Sequence, residues 1–395
     1  VLPKIGLQQR RARLAVRHRL ATPAPSVLAA ADAVVALHAT DPATVHLSAW
    51  ARVKGDGVAE LENALYEERT LVRMLGMRRT VFVLGHENAA LVQAACSADI
   101  AKKQRRLLEQ HLGTQGHPEN VPDPERWLAE VEDATERALK ARGSATAQQL
   151  AEDEPRLRQQ LMMARGKPYE AIANVTSRVL FQLAVDGRIV RGRPRGSWIS
   201  SQYYWATMAD WLPRGMAAWD ADAARAELAR RWLYAYGPAP IADLRWWTGW
   251  TAGQTKKALA AVQPIEVDLD GVPGVVLADD LEPVAEPEPW VSLLPSLDPT
   301  SMGWIERDWY LGPHRAPLFD GTGNIGPTVW ADGRIVGGWA QRPGGEVVHH
   351  FLEDVGAEVE RAVEAEANHL AEWLGEVRVT PRMRTPLERR LAQQS

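Results

Sequence analysis

The sequence predicts a mainly α chain with β elements (α+β), arranged as three tandem winged-helix modules followed by a small C-terminal β-barrel-like module. Three observations carry this expectation. One order of elements (helix, shorter helix, helix, then two strands joined by a turn) occurs three times before residue 287. That order is the winged-helix plan, a relative of the helix-turn-helix. After residue 287 the texture changes to short strands and glycine turns, the pattern of a small barrel or curled sheet. Finally, at 395 residues the chain is too long for one ordinary domain.

The first unit, expected within residues 1–110 behind a basic N-terminus, takes its helices from "SVLAAADAVVALHAT", "ATVHLSAWARV" and "VAELENALYEE". Its strands are "TLVRMLGMR" and "TVFVLG". The middle unit (111–215) opens after the polar loop "QHLGTQGHPENVP" with "DPERWLAEVEDATERALKARG", where Asp123 suits an N-cap and Gly143 a stop. Ser144 would cap the short helix "SATAQQLAED", and Pro168 would open a third helix closing at Gly187. "RIVRGRPRGSWIS" then forms two short strands around an arginine-rich turn. The third unit (216–287) repeats the order, ending in "IEVDL" and "GVVLA" joined by the hairpin turn "DGVPG". "EPVAEPEPW" is a proline-broken linker into the β-rich C-terminal part (288–395), which carries an acidic helix at about 356–374 and a basic tail from Arg378.

Composition narrows the function classes. Hydrophobic residues make up 46% and charged residues 24% of the chain, ordinary for a soluble globular protein. One cysteine, Cys96, permits no intramolecular disulfide and no cysteine-based zinc site, and fits a reducing cytoplasm. No window approaches a membrane span, and the first 25 residues lack the apolar core of a secretory signal. A cytoplasmic, nucleoid-associated location and no membrane partner are expected. The net charge of −4 conceals an asymmetry. Residues 1–25 carry six basic residues and no acid, residues 188–195 carry four arginines and no acid, and residues 353–376 carry eight acids against Arg361 alone. Such a distribution can give an acidic protein one basic face.

The stretch that raises a chemical question is "LHATDP" (37–42). Pro42 disfavours helical geometry at Asp41, so the helix before it is expected to end around His38. On an extended exit His38 and Thr40 face the same side and can converge on one water, with Ala39 packed inward. Other candidates are weaker. "DGTGNIGP" (320–327) does not sit between a strand and a long helix, as a phosphate loop would. His349 and His350 are neighbours on a strand and point to opposite faces, poor geometry for a metal. The 16 tryptophans read mostly as core. No metal or cofactor is expected.

The order of the units and a helix ending in polar–apolar–polar–Asp-Pro resemble the AlkZ/YcaQ-type winged-helix DNA glycosylases, a family that includes an azinomycin-resistance enzyme. The resemblance continues through "LSAWAR" (47–52), "RMLGMRRTVFVL" (73–84), "LLPSLDP" (293–299) and "WADGRIVGGW" (330–339). It departs at the family's Gln–hydrophobic–Gln motif, where this chain has His38-Ala39-Thr40.

The resemblance implies a monofunctional glycosylase acting on bulky, cationic N7-alkylguanine in double-stranded DNA as a monomer, with self-resistance to a genotoxic natural product as its setting. Neutral His38 would accept the proton of water and Thr40 would orient that water. Asp41 would either stabilise the developing sugar cation or cap backbone amides beside Pro42. DNA contacts are expected from Arg73, Arg78 and Arg79 in the first hairpin, from Arg191, Arg193 and Arg195 in the second, and from Arg10, Arg11 and Arg13 near the N-terminus. The alternative from a different class is a non-catalytic winged-helix regulator or adduct sensor, which the loss of both glutamines would fit.

Overall fold

The structure is a computed structural model that describes residues 2–55, 57–164, 166–168 and 170–393. It is a mixed fold, 47% helical and 18% strand, with no closed barrel. After α1 (Leu7–Arg17), the first unit runs α2 (Val27–Ala33), β1 (Leu37–His38), α3 (Pro42–Trp50), α4 (Gly57–Glu62), β2 (Leu71–Leu75) and β3 (Val81–Gly85). β1 lies at the edge of a three-stranded sheet of order β1-β3-β2. α5 (His86–Val92) and the long α6 (Ala98–Thr114) lead through β4 (Gly116–His117) to the second unit. That unit contains α7 (Pro124–Arg142), α8 (Ala147–Asp153), β5 (Gln160–Met163), β6 (Ala171–Asn174), α9 (Thr176–Val185), β7 (Ile189–Pro194) and β8 (Tyr203–Thr207). The short α10 (Met208–Trp211) precedes the third, made of α11 (Ala221–Tyr236), α12 (Ile241–Thr248), α13 (Ala252–Val262), β9 (Ile265–Leu269) and β10 (Val272–Val276).

The units share a topological detail that sequence periodicity does not reveal. In each, the linker between the first two helices bridges antiparallel to the last strand of the hairpin. Leu37 and His38 pair with Val83 and Phe82, Ala145 with Trp205, and Ala239 with Val275. The linkers differ in length: residues 143–146 and 237–240 suffice in the second and third units, whereas the first uses 34–41.

Three expectations are corrected here. The third helix of the middle unit starts at Thr176, because the residues before it form β6 and pair with β5, whose other neighbour is β4; Tyr169, inside the expected helix, lies outside the described residues. α8 is capped by Thr146 rather than Ser144, through a reciprocal box in which Thr146 accepts from the Gln149 amide. The C-terminal part is an open four-stranded meander, β11 (Val291–Leu294), β12 (Thr328–Ala331), β13 (Arg334–Gln341) and β14 (Val347–Phe351), rather than a barrel. Two single-turn helices, α14 (Asp308–Leu311) and α15 (Arg315–Leu318), interrupt it between β11 and β12.

The meander does not close on itself, because helices cover the surface a barrel would bury. α16 (Gly356–Leu374) inserts Val363, Ala367, Leu370 and Leu374 beside Leu293, Val336 and Trp339. α17 (Pro386–Gln393) adds Leu387 and Leu391 to the main core. That core runs through all the units, with Trp232, Trp304 and Trp330 among its fully buried side chains.

Candidate active site

The site is built on the long linker of the first unit. After α2 the chain turns sharply at Val35, whose φ of 65° is rare for a β-branched residue. The Tyr236 hydroxyl holds the turn by donating to the Val34 carbonyl at 2.9 Å. The chain then enters β1, and the Ala39 amide extends the pairing by donating to the Val81 carbonyl at 2.8 Å. His38 therefore sits on an edge strand and not at a helix end, because the first helix stops at Ala33. The sheet pairing extends the backbone through His38 and the buried Ala39; Thr40 follows at a bend just beyond it.

His38 is buried, packs edge-on against Phe82 at 5.4 Å, and leaves Nδ1 without a protein hydrogen bond. Burial, reinforced by the charge of Arg78, pushes its pKa down to about 3. The imidazole is neutral across the physiological range. Thr40 is half-buried, and its carbonyl accepts from Arg382 Nη1 at 3.3 Å. Asp41 has both carboxylate oxygens occupied: Oδ1 accepts from the Ala43 amide at 3.1 Å, and Oδ2 from the Arg382 amide at 2.9 Å. It is the N-cap of α3, with Pro42 in the first turn. Capping is thus its visible work. Burial raises its pKa above the ordinary carboxylate value.

Below the linker, two of the sequence motifs meet. Ser48 and Arg52, from "LSAWAR", bind Asp298 of "LLPSLDP", and Thr300 ties this pair to His18. His18 Nε2 lies 3.1 Å from the Ala235 carbonyl, so it carries the proton and Nδ1 accepts from Thr300. α1, α3, the end of α11 and the loop after β11 are locked together directly under the site.

The arginines divide into three groups. Arg191, Arg195, Arg78 and Arg79 have no carboxylate partner among the described residues. Arg78 lies over Trp246 at 3.9 Å, and Arg79 faces Phe181 of α9 at 5.6 Å. Both adopt left-handed backbone in the turn between β2 and β3. Arg193, exposed, is drawn to Glu62 and Glu67 of the first unit. The rest are structural or half-structural. Arg13 is buried and paired with Asp280 at 2.8 Å, which corrects its assignment as a DNA contact. Arg73 is equally buried, with its guanidinium on the Tyr203 hydroxyl and over its ring, so it joins the two hairpins rather than facing solvent. Arg11 donates to the Trp309 carbonyl, and half-buried Arg10 stacks over the Trp309 ring at 4.2 Å.

A groove of about 530 Å³ is lined by Ser177, Phe181, Arg191, Arg195, Tyr203 and Arg382, and Arg382 connects it to the linker. A second hollow shares Ser177 and Phe181 and adds Arg79 and Arg178. Sequence reasoning missed Arg382. It stands in the basic tail, and its contact with Thr40 depends on a fold that brings the two ends of the chain together. It also missed Trp246 and Arg307, which approach each other at 5.0 Å beside Arg78.

The chain as a whole is similar to known proteins. A solved structure of the Streptomyces sahachiroi DNA glycosylase AlkZ superposes with a TM-score of 0.71 at 22% identity, covering 95% of this chain and 98% of that one. An interstrand DNA cross-link repair glycosylase of Streptomyces sahachiroi is 31% identical over 221 residues. That match takes in 52% of this chain and 57% of the relative's length. The family model for AlkZ-like DNA glycosylases matches residues 31–373, from α2 to the last turn of α16, so the chain belongs to the AlkZ-like DNA glycosylase family.

Proposed function

We propose that this protein is a monofunctional DNA glycosylase that hydrolyses the N-glycosidic bond of bulky, cationic N7-alkylguanine in duplex DNA, working as a monomer built on three winged-helix modules. The observation that carries the reading is a neutral, buried imidazole on an edge strand whose next residues, Thr40 and Asp41, are bound by Arg382 of an arginine-lined groove. The relative named as a cross-link repair glycosylase supports the same reaction class.

An N7-alkylated guanine is cationic and leaves without much protonation, so the protein's task is to place water and activate it. His38 accepts a proton from that water, and Thr40 fixes its orientation. A base with a pKa near 3 is weak, which suits a leaving group that needs little push. Asp41 contributes only the field of a carboxylate already bound to two amides. The open groove suits an adduct too large to be turned into a closed pocket. Self-resistance to an alkylating natural product is the biological setting we assign.

The test is incubation with duplexes carrying N7-methylguanine and a panel of bulkier N7 adducts, followed by alkaline cleavage. Strand breaks at the modified guanine are expected. Tight binding with no breaks would replace this reading by that of an adduct sensor.

A further inference from the structure

Three guanidiniums with no carboxylate within ion-pair distance among the described residues line one groove: Arg191 and Arg195 from the second hairpin, and Arg382 from the C-terminal segment. Arg191 is held over Tyr203 and Trp205 at 5.8 and 5.3 Å. Burial, together with the charges of Arg73 and Arg382, lowers its pKa, although Tyr203 works the other way. A cluster of this kind, floored by aromatic rings, matches an anion attached to stacked bases.

Arg382 differs from the other two in what it touches. Its guanidinium donates to the Thr40 carbonyl and its backbone amide to Asp41, the two residues that end the His38 linker. Its side chain is exposed, leaving donors free for a ligand in the groove. We propose that Arg382 is a positioning residue that binds one backbone phosphate of the DNA strand lying in this groove and, through the Thr40 carbonyl, sets the His38–Thr40 segment against that strand. The inference rests on the glycosylase reading for its effect on rate, but not for its effect on binding. Arginine suits the task because its planar fork can serve the carbonyl and a phosphate oxygen together, whereas lysine offers a single point charge.

The experiment uses the full chain and duplex DNA with one N7-methylguanine, in which single phosphates are replaced in turn by neutral methylphosphonates. For the intact protein, one replacement close to the modified guanine should weaken binding about tenfold, the scale of a lost charge-assisted contact. In Arg382→Ala the same replacement should have no further effect, and excision at saturating DNA should fall about tenfold. Arg382→Lys should recover the affinity and the salt dependence but not the rate. Circular dichroism on each variant confirms folding; the amide bond to Asp41 is independent of the side chain.

Arg382→Ala with an unchanged methylphosphonate profile would overturn phosphate binding. A normal saturating rate in that variant would overturn the positioning role. Should the intact protein excise neither N7-methylguanine nor the bulkier N7 adducts, the glycosylase reading fails, and the methylphosphonate scan still decides whether Arg382 holds a phosphate.

Discussion

Arg52, on the turn after α3, and Asp298, in the loop after β11, form a two-point ion pair at 2.7 and 2.8 Å with no exposed surface on either side chain. Burial would raise the Asp298 pKa, but the Arg52 charge and its hydrogen bonds outweigh this and hold it below the ordinary value. A pair so deeply buried is costly to break from one side, because the survivor is left charged and unpaired. Asp298→Asn is therefore expected to destabilise the fold by about 3–5 kcal/mol. Urea unfolding checks this; an unchanged midpoint would mean the loop rearranges to satisfy Arg52.

His38→Ala should leave duplex affinity close to that of the parent while slowing base release. General-base catalysis contributes about 10²–10⁴-fold, and a cationic leaving group places the loss toward the lower end. Thr40→Ala should cost less. Single-turnover excision of an N7-methylguanine duplex measures both, and a His38→Ala variant with full rate would remove the imidazole from the mechanism.

The pH profile follows from the burial of His38. An exposed histidine would lose activity as pH falls through about 6.5. With its titration moved down to about 3, His38 stays unprotonated far below that point. The excision rate should be level from pH 8 to about 5, within the range where the fold is intact. A drop centred near 6.5 would show that the ring opens to solvent before the reaction.

Stability, by contrast, should be pH-sensitive. His18, His38 and His46 are all buried, and burial pushes each down to about 3. Their folded pKa values lie below the unfolded one, so the unfolded chain binds more protons once pH falls below about 6.5. Stability is complete above that point and lost below it, by about 1.4 kcal/mol per histidine at pH 5.5. Asp243, raised to about 6 mainly by burial, works in the opposite sense, as do Asp32, Asp41, Glu132 and Glu366, which burial also raises. Thermal unfolding between pH 7.5 and 5 should show a falling Tm; a constant Tm would contradict neutral burial of the three rings.

Salt dependence should separate the arginines of the second hairpin. Each phosphate neutralised adds about 0.9 to the slope of log affinity against log salt. Arg193 is already engaged by Glu62 and Glu67. Replacing Arg191, Arg193 and Arg195 together by Ala should therefore flatten the slope by about two contacts rather than three. Arg193→Ala alone should barely alter it.

Much of this architecture is legible in the sequence, for definite reasons. Long amphipathic helices such as α7 and α11 announce themselves by period and cap, and "DGVPG" marks the β9–β10 turn. β1 does not, because two residues carry no period and their strand character comes from pairing with β3. β6 falls inside the helix expected from Pro168 for a similar reason, its strand character coming from pairing with β5. At the site, the His38–Thr40 motif stands out, but the protonation state of the ring does not, since that depends on its burial against Phe82 and on the charge of Arg78. Arg10, Arg11 and Arg13 look alike in sequence, yet only the fold decides that Arg13 belongs to Asp280.

The unequal linkers have a consequence for how such a site can change. Two of the three units join their first helices with residues 143–146 and 237–240, and each still reaches the hairpin through one bridging alanine. Folding of a unit therefore requires little from this segment beyond that bridge. The first unit spends extra chain there, and the extra chain is where the histidine sits. If His38 acts as proposed, its chemistry sits on a joint that the framework could make shorter, so that segment is open to variation while the surrounding scaffold stays fixed.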